Sequence, residues 1–173
     1  MARGKHTAGL EALRKIGLLA ELSGEELEAI RGIAREVRFS SGEVIMREGE
    51  VGDSMYLFAE GEAMVTKNLT LKTGKQGFSQ AEKSMVRLNA RYVSYFGDMA
   101  MFENDVRSAT ITASGDCRLY EIRREDFERL AAERPGLAYR LVREIAAVLC
   151  KRVRQGNQDI LKLTTALSIA LSK

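Results

Sequence analysis

Hydrophobic and polar positions change their spacing twice along the chain, and the changes separate three textures. Residues 10–34, "LEALRKIGLLAELSGEELEAIRGIA", carry apolar residues at helical intervals, with Leu27, Ile30 and Ile33 on one stripe. Two short helices are predicted here. Ser23 with Glu26 three residues later is a capping box that starts the second. From Val37 to Thr66 the pattern becomes short β-prone runs divided at Gly42, Gly49, Gly52 and Gly61, the spacing of a small sandwich or barrel rather than of βαβ units. Within "MYLFA", Met55, Leu57 and Ala59 share one strand face and Tyr56 and Phe58 the other, which predicts a strand buried on both sides.

Residues 67–84, "KNLTLKTGKQGFSQAEKS", are polar and without a clear period, and read as a long loop or the tip of a hairpin. Strand texture resumes at "MVRL", weakens through "NARYVSY", and returns in "SATITAS" and "CRLYEIR", which flank a Ser114-Gly115-Asp116 turn. The sheet is predicted to end near Arg123. The remainder is helical: Phe127, Leu130 and Ala131 share a face, and Pro135-Gly136 marks the break before a long second helix. From Val142 a 4,3 spacing runs through Ala146, Leu149, Val153, Gly156, Ile160, Leu163, Leu167 and Ala170. That heptad seam predicts a helix that forms a homodimer; the alternative is a helix packed only on its own domain. Gly156 is the flaw in the seam, a hinge or helix break that costs about 1 kcal/mol relative to Ala.

Composition narrows the function classes. At 173 residues, 45% hydrophobic and 29% charged, the chain reads as an ordinary globular domain with one core, or one core plus an appended helix. Its net charge of +3 is spread thinly and offers no footprint for nucleic acid. Cys117 and Cys150 lie in strand and helix patterns outside any metal-ligand spacing, and are expected as buried free thiols. No signal-like or membrane-length apolar run occurs, so a cytoplasmic location is expected by default. Asn68-Leu69-Thr70 fits a glycosylation pattern by chance.

Enzyme signatures are few. The single histidine, His6, falls in an N-terminal stretch expected to be flexible, residues 1–9, and leaves no Ser/His or Cys/His pair. No phosphate-loop, dinucleotide or metalloprotease motif is present, and no metal site or cofactor is expected. The informative stretch is "YFGDMAMFENDVRSATI", residues 95–111. Gly97 permits close backbone approach, and the run after it is short and helix-compatible, with free N–H groups at its start. Arg107 then opens a strand at the small residues Ser108 and Ala109, where a phosphate would meet a guanidinium fork and backbone N–H groups. Asp98 would repel a phosphate, but it could accept a hydrogen bond from an attached ribose. The residues alone leave open whether Asp98 and Arg107 are an ordinary surface ion pair.

Three segments, "AGLEALRKIGLLAELSGEELEAI", "GEVIMREGEVGDSMYLFAEGEAMV" and "FGDMAMFENDVRSATI", resemble in order and spacing the cyclic nucleotide-binding domain of catabolite-activator-type regulators, cyclic-nucleotide-dependent kinases and gated channels. The resemblance covers residues 10 to about 155 and is most specific at the phosphate-binding cassette. It implies an α+β fold, an antiparallel β-roll or jelly-roll-like sandwich with N-terminal helices, a short cassette helix and a long C-terminal helix. Residues 10–134 would form the nucleotide domain and 135–173 the lid and dimerisation helix. The implied ligand is cAMP or cGMP, with no catalytic activity. Gly97, Asp98, Met99, Ala100, Arg107, Ser108 and Ala109 would line the site, Arg107 binding the cyclic phosphate with backbone N–H groups of Met99, Ala100, Ser108 and Ala109. Asp98 stands where the family usually has a glutamate for the ribose 2'-hydroxyl and reaches about one methylene less far. A hydroxyl at Ser108 can favour guanine in some members, yet serine is frequent in bacterial cAMP binders, and cAMP is the preferred reading. Tyr92 and Tyr95, before the cassette, are expected in the core. A residue between Leu149 and Val153 would lid the base as the C-terminal helices move. Two alternatives stay open: a degenerate assembly module that has lost its ligand, and a shortened catabolite-activator-type transcription regulator.

Overall fold

The computed structural model describes residues 9–73 and 77–172. Residues 9–14 are helical and a 3-10 turn follows at Gly17–Leu19. Then come α1 (Gly24–Ile33), β1 (Ala34–Phe39), β2 (Val44–Met46), β3 (Ser54–Glu60), β4 (Glu62–Thr73), β5 (Gly77–Asn89) and β6 (Tyr95–Phe96). A 3-10 turn at Asp98–Met101 leads to β7 (Thr110–Ala113), β8 (Cys117–Arg123), α2 (Arg124–Glu133) and α3 (Pro135–Leu171). The strands form two antiparallel four-stranded sheets, ordered β1-β8-β3-β6 and β2-β7-β4-β5. This is the expected α+β jelly-roll-like sandwich with its long C-terminal helix.

β3 organises both cores because its two faces are apolar. Met55 and Leu57 point to the helices, where they meet Leu13, Leu27, Ile30, Tyr120 and Leu141; Tyr56 and Phe58 point between the sheets, against Phe96, Ile111 and Leu119. Each such side chain contributes roughly 1.5–3 kcal/mol by burial. Phe96 fixes the second core through aromatic contacts of 5.5 Å with both Tyr56 and Phe58. The capping box forms as its spacing predicts: Glu26 N–H donates to Ser23 Oγ (3.3 Å) and Ser23 N–H to Glu26 Oε2 (2.8 Å). Glu26 also pairs with Arg140, tying the start of α3 to α1.

Four expectations are corrected. Of the two readings of residues 67–84, the long loop is corrected and the hairpin stands: β4 and β5 pair from Glu62↔Asn89 to Thr73↔Gly77, so residues 67–73 and 77–84 belong to the arms of a hairpin. β7 pairs with β4 only over Ala63–Thr66, and the farther arm needs backbone hydrogen bonds with β5 rather than an apolar period. Tyr92 is 87% exposed, because the turn that Asn89 closes on the N–H groups of Arg91 and Tyr92 faces solvent. Cys150 is exposed, since α3 leaves the domain after Ile145 and Leu149; Cys117 is buried as expected. Gly156 breaks nothing, and α3 runs through it for 37 residues, where a propensity penalty near 1 kcal/mol is small against the turns on either side.

α3 starts with Pro135 at its first turn, where a missing N–H costs nothing. Leu137, Ala138, Leu141 and Ile145 bury one stripe on the domain. Beyond Leu149 the stripe is lost, and Val153, Ile160, Leu163 and Leu167 of the heptad seam are exposed. None of the described helices is long and apolar enough to cross a membrane. The domain boundary set at 134/135 falls between α2 and α3, whereas residues 1–8, including His6, lie outside the described residues.

Because Gly156 sits in an exposed and continuous helix, Gly156→Ala is expected to stabilise the protein by about 0.5–1 kcal/mol. Thermal unfolding followed by circular dichroism measures this; a lower midpoint would mean that the helix needs a break there.

Candidate functional site

Arg107 is a cation held inside the protein. It is 8% exposed, its Nη1 donates to Gly97 O (3.3 Å) and its Nη2 to Ser54 Oγ (3.2 Å). Two glycines make room for it. Gly97 has φ +74°, the left-handed conformation that ends β6, and a Cβ there would approach Arg107 Nη1 to 2.9 Å. At Gly52 a Cβ would lie 2.1 Å from Arg107 Nε, inside any van der Waals limit, so the side chain occupies the space that a Cβ would need. The strand start is pinned from both sides: Arg107 N–H donates to Glu50 O (2.8 Å), and Gly49 N–H donates to Arg107 O (2.9 Å). Among the described residues no carboxylate pairs with Arg107.

Asp98 and Arg107 are therefore not an ion pair with each other. Asp98, 3% exposed, is met by Arg152 from α3, whose Nη1 lies 3.2 Å from both Oδ1 and Oδ2. The Arg152 guanidinium also covers the Tyr95 ring, 5.8 Å from its centroid. Tyr95 is buried as expected, but its hydroxyl finds no hydrogen-bond partner among the described residues. Burial, reinforced by the nearby Asp98 charge and opposed by Arg152, pushes its phenol up to about 12.

Around these groups lies a cavity of ≈ 360 Å³, within the size range of small-ligand sites. All seven residues expected at a site, Gly97, Asp98, Met99, Ala100, Arg107, Ser108 and Ala109, line it together. One wall is apolar and built from the sandwich, with Val65, Val86, Leu88 and Ile111; the mouth carries Glu103 and Asp105. Among the described residues, the backbone N–H groups of Met99, Ser108 and Ala109 are not committed to a backbone carbonyl, whereas Ala100 N–H donates to Gly97 O (3.2 Å). The arrangement suits one small anion at Arg107 and a hydroxyl-bearing group near Asp98.

Four contributors escaped the sequence reading. Ser54 and Gly52 precede the cassette by more than 40 residues, and only the β3–β6 pairing, Tyr56↔Phe96, places them under it. Arg124 opens α2 and clamps the cassette loop, with Nε donating to Ala100 O (2.7 Å), Nη2 to Glu103 O (2.6 Å) and Nη1 to Asn104. Arg152 lies inside the segment expected to lid the base, and its side chain meets Asp98. A basic residue two turns beyond Ile145, the last buried position of α3, was the available signal.

The family described as cyclic nucleotide-binding domain matches residues 36–134. The cAMP-dependent protein kinase regulatory subunit of Dictyostelium discoideum is 30% identical over 120 residues, 69% of this chain and 35% of that protein. The cGMP-dependent protein kinase isozyme 1 of Drosophila melanogaster is 32% identical over 122 residues, 70% of this chain and 15% of that protein. The chain thus spans about a third or less of the length of these curated relatives. Among solved structures, the Thermus thermophilus catabolite activator protein superposes with a TM-score of 0.65 at 25% identity, covering 85% of this chain and 62% of the other.

The Tyr95 phenol sets a test of the site's electrostatics. Its folded pKa is raised to about 12 against 10.0 for the free group, so its contribution to stability is complete below pH 10 and is lost as pH rises toward 12. Tyr95→Phe is expected to flatten that alkaline slope and, by removing an unpaired buried hydroxyl, to leave stability at pH 7 unchanged or higher by up to about 1 kcal/mol. Denaturant unfolding between pH 8 and 12 checks both; a loss above 1 kcal/mol at pH 7 would show that the hydroxyl has a partner.

Proposed function

The chain belongs to the cyclic nucleotide-binding domain family, and from that premise we propose that it is a non-catalytic cyclic nucleotide sensor. Arg107 takes the cyclic phosphate, assisted by the N–H groups of Met99, Ser108 and Ala109, and Asp98 accepts from the ribose 2'-hydroxyl. The observation that carries this reading is Arg107 itself. A buried guanidinium without a carboxylate partner is costly, and an anion entering the cavity supplies the missing charge. cAMP is the preferred ligand. The wall of Val65, Val86, Leu88 and Ile111 offers a purine an apolar face with no side-chain donor or acceptor to read guanine, and only the Ser108 hydroxyl, beside Arg107, speaks for cGMP.

Arg152 links the site to α3. A ribose hydroxyl is neutral and cannot replace the counter-charge that Arg152 gives buried Asp98, and the incoming phosphate increases the need for it. The carboxylate has lone pairs for both partners. Nucleotide binding thus favours the position of α3 in which Arg152 reaches Asp98, and its effect on the helix is limited to that difference in affinity. The exposed seam of Val153, Ile160, Leu163 and Leu167 continues from the coupled turn and fits a second copy of the chain, so the same movement reaches a dimer interface. One observation favours the rival reading of an assembly module without ligand: the short acid at position 98 is already engaged by Arg152.

Calorimetric titration decides between them. Wild type is expected to bind cAMP more tightly than cGMP, Arg107→Ala to lose about a hundredfold or more in affinity, and Arg152→Ala about tenfold. No heat with either nucleotide supports the module without ligand, and tighter binding by Arg152→Ala would make that arginine a competitor of the ribose. Light scattering at tens of micromolar is expected to give a dimer mass that Leu163→Glu reduces to a monomer; a monomeric wild type sinks the seam.

A further inference from the structure

The segment from Asp98 to Arg107 carries both buried charges of the candidate site, one at each end, yet burial does not fix its middle. Residues 102–106 are exposed, and residues 103–105 belong to no regular element. One side chain holds them. Arg124 Nε donates to Ala100 O (2.7 Å) and Nη2 to Glu103 O (2.6 Å), with further contacts from Nη2 to Ala100 O and from Nη1 to Asn104 Oδ1. Among the described residues neither carbonyl receives a backbone N–H, so the guanidinium supplies the donors that a continuing helix would have offered. The other end of Arg124 is equally fixed. It is the first residue of α2, directly after β8, and its backbone N–H donates to Asp53 O (2.7 Å), one step beyond the Ser54↔Arg123 pair of the β3–β8 ladder. Ser54, next in the chain, accepts from Arg107 Nη2. Two neighbouring residues of backbone thus serve as the reference for both arginines.

We infer that Arg124 is a positioning residue of the site: it holds the loop between Asp98 and Arg107 in register with the start of β3, so that the acid and the guanidinium keep their separation. It does not line the cavity and acts only through the loop. The geometry requires an arginine. Its planar fork presents several donors in fixed directions and reaches two carbonyls and the Asn104 side chain at once, whereas the single ammonium of a lysine is a point charge that cannot span them. Bonds from a charged donor are also the stronger kind, which suits an exposed loop that has no packing to hold it.

The clamp's effect on affinity rests on the nucleotide-binding reading, but its effect on the loop does not, and the experiment separates the two. In the ligand-free protein, amide hydrogen exchange reports the loop through Phe102 and Glu103, whose N–H groups both donate to Met99 O at 3.0 Å. Arg124→Gln is expected to accelerate exchange at both by about tenfold and Arg124→Lys by about threefold, with amides of β8 such as Leu119 unchanged. Arg123→Ala removes an equal charge one residue earlier, where the ion pair is with Glu125, and is expected to change neither. Titration with cAMP is then expected to show Kd raised about tenfold by Arg124→Gln and about threefold by Arg124→Lys. Unchanged exchange at Phe102 and Glu103 in Arg124→Gln overturns the inference. Equal acceleration in β8 overturns it too, because Arg124 would then serve overall stability alone, and so does a faster loop with cAMP affinity intact. Faster loop exchange in a protein that takes up no nucleotide upholds the clamp and rejects the nucleotide reading. Should Arg124→Gln fail to fold, Arg124→Lys, which keeps the charge, and Asn104→Ala, on the exposed loop, decide by the same exchange rates.

Discussion

Moving a guanidinium out of water costs several kcal/mol unless hydrogen bonds and opposite charge replace what the solvent gave. Arg107 is 8% exposed, and much of the local structure follows from that constraint. Gly52 has no side chain because a Cβ there would overlap the guanidinium, and Gly97 turns its carbonyl to Arg107 Nη1 from a left-handed conformation. Ser54, at the first position of β3, accepts from Nη2. β6 is only two residues long, yet it closes the sheet at Tyr56↔Phe96 and so holds the cassette against β3. Hydrogen bonds satisfy part of the cation without cancelling its charge, and among the described residues no carboxylate does so, which is the basis of the proposed anion site.

The parts of this design that were legible in the sequence are those governed by local rules. Alternation along "MYLFA" placed Met55 and Leu57 on one core and Tyr56 and Phe58 on the other, because a strand's side-chain period does not depend on its neighbours. The Ser23–Glu26 box and Pro135 located two helix starts through backbone N–H chemistry. The misses share a different cause. The polar hairpin arms pair through backbone groups that carry no side-chain signature. Tyr92 and Tyr95, three residues apart in one apolar-rich stretch, separate into solvent and core because Asn89 closes a turn between β5 and β6. The site residues of the cassette were legible as a contiguous motif, whereas Ser54, Arg124 and Arg152 reach it from three separate elements. The register of the sheets and the packing of α3 on the domain bring them together.

Asp98 and Arg107 solve opposite versions of one problem, and their different solutions connect the site to the rest of the chain. Arg107 is secured entirely by the β-sandwich and its loops. Asp98, equally buried, takes its counter-charge from Arg152, a residue on a helix whose packing against the domain ends a turn earlier, at Leu149. Arg124 adds a second link, from the first residue of α2 to the carbonyls of the cassette loop. The Arg107 end of the cavity is therefore built from the sandwich and its loops alone, and the Asp98 end is shared with α3. On the proposed reading, a nucleotide that bridges both ends binds Arg107 and, through Asp98, biases where α3 lies. The same logic gives the shortened acid a physical meaning: with about one methylene less than glutamate, Asp98 stays closer to the backbone, and a long side chain from α3 has to come inward to meet it. Arg152 does so across the Tyr95 ring, and an ion pair inside the cavity thus joins the helix to the candidate site.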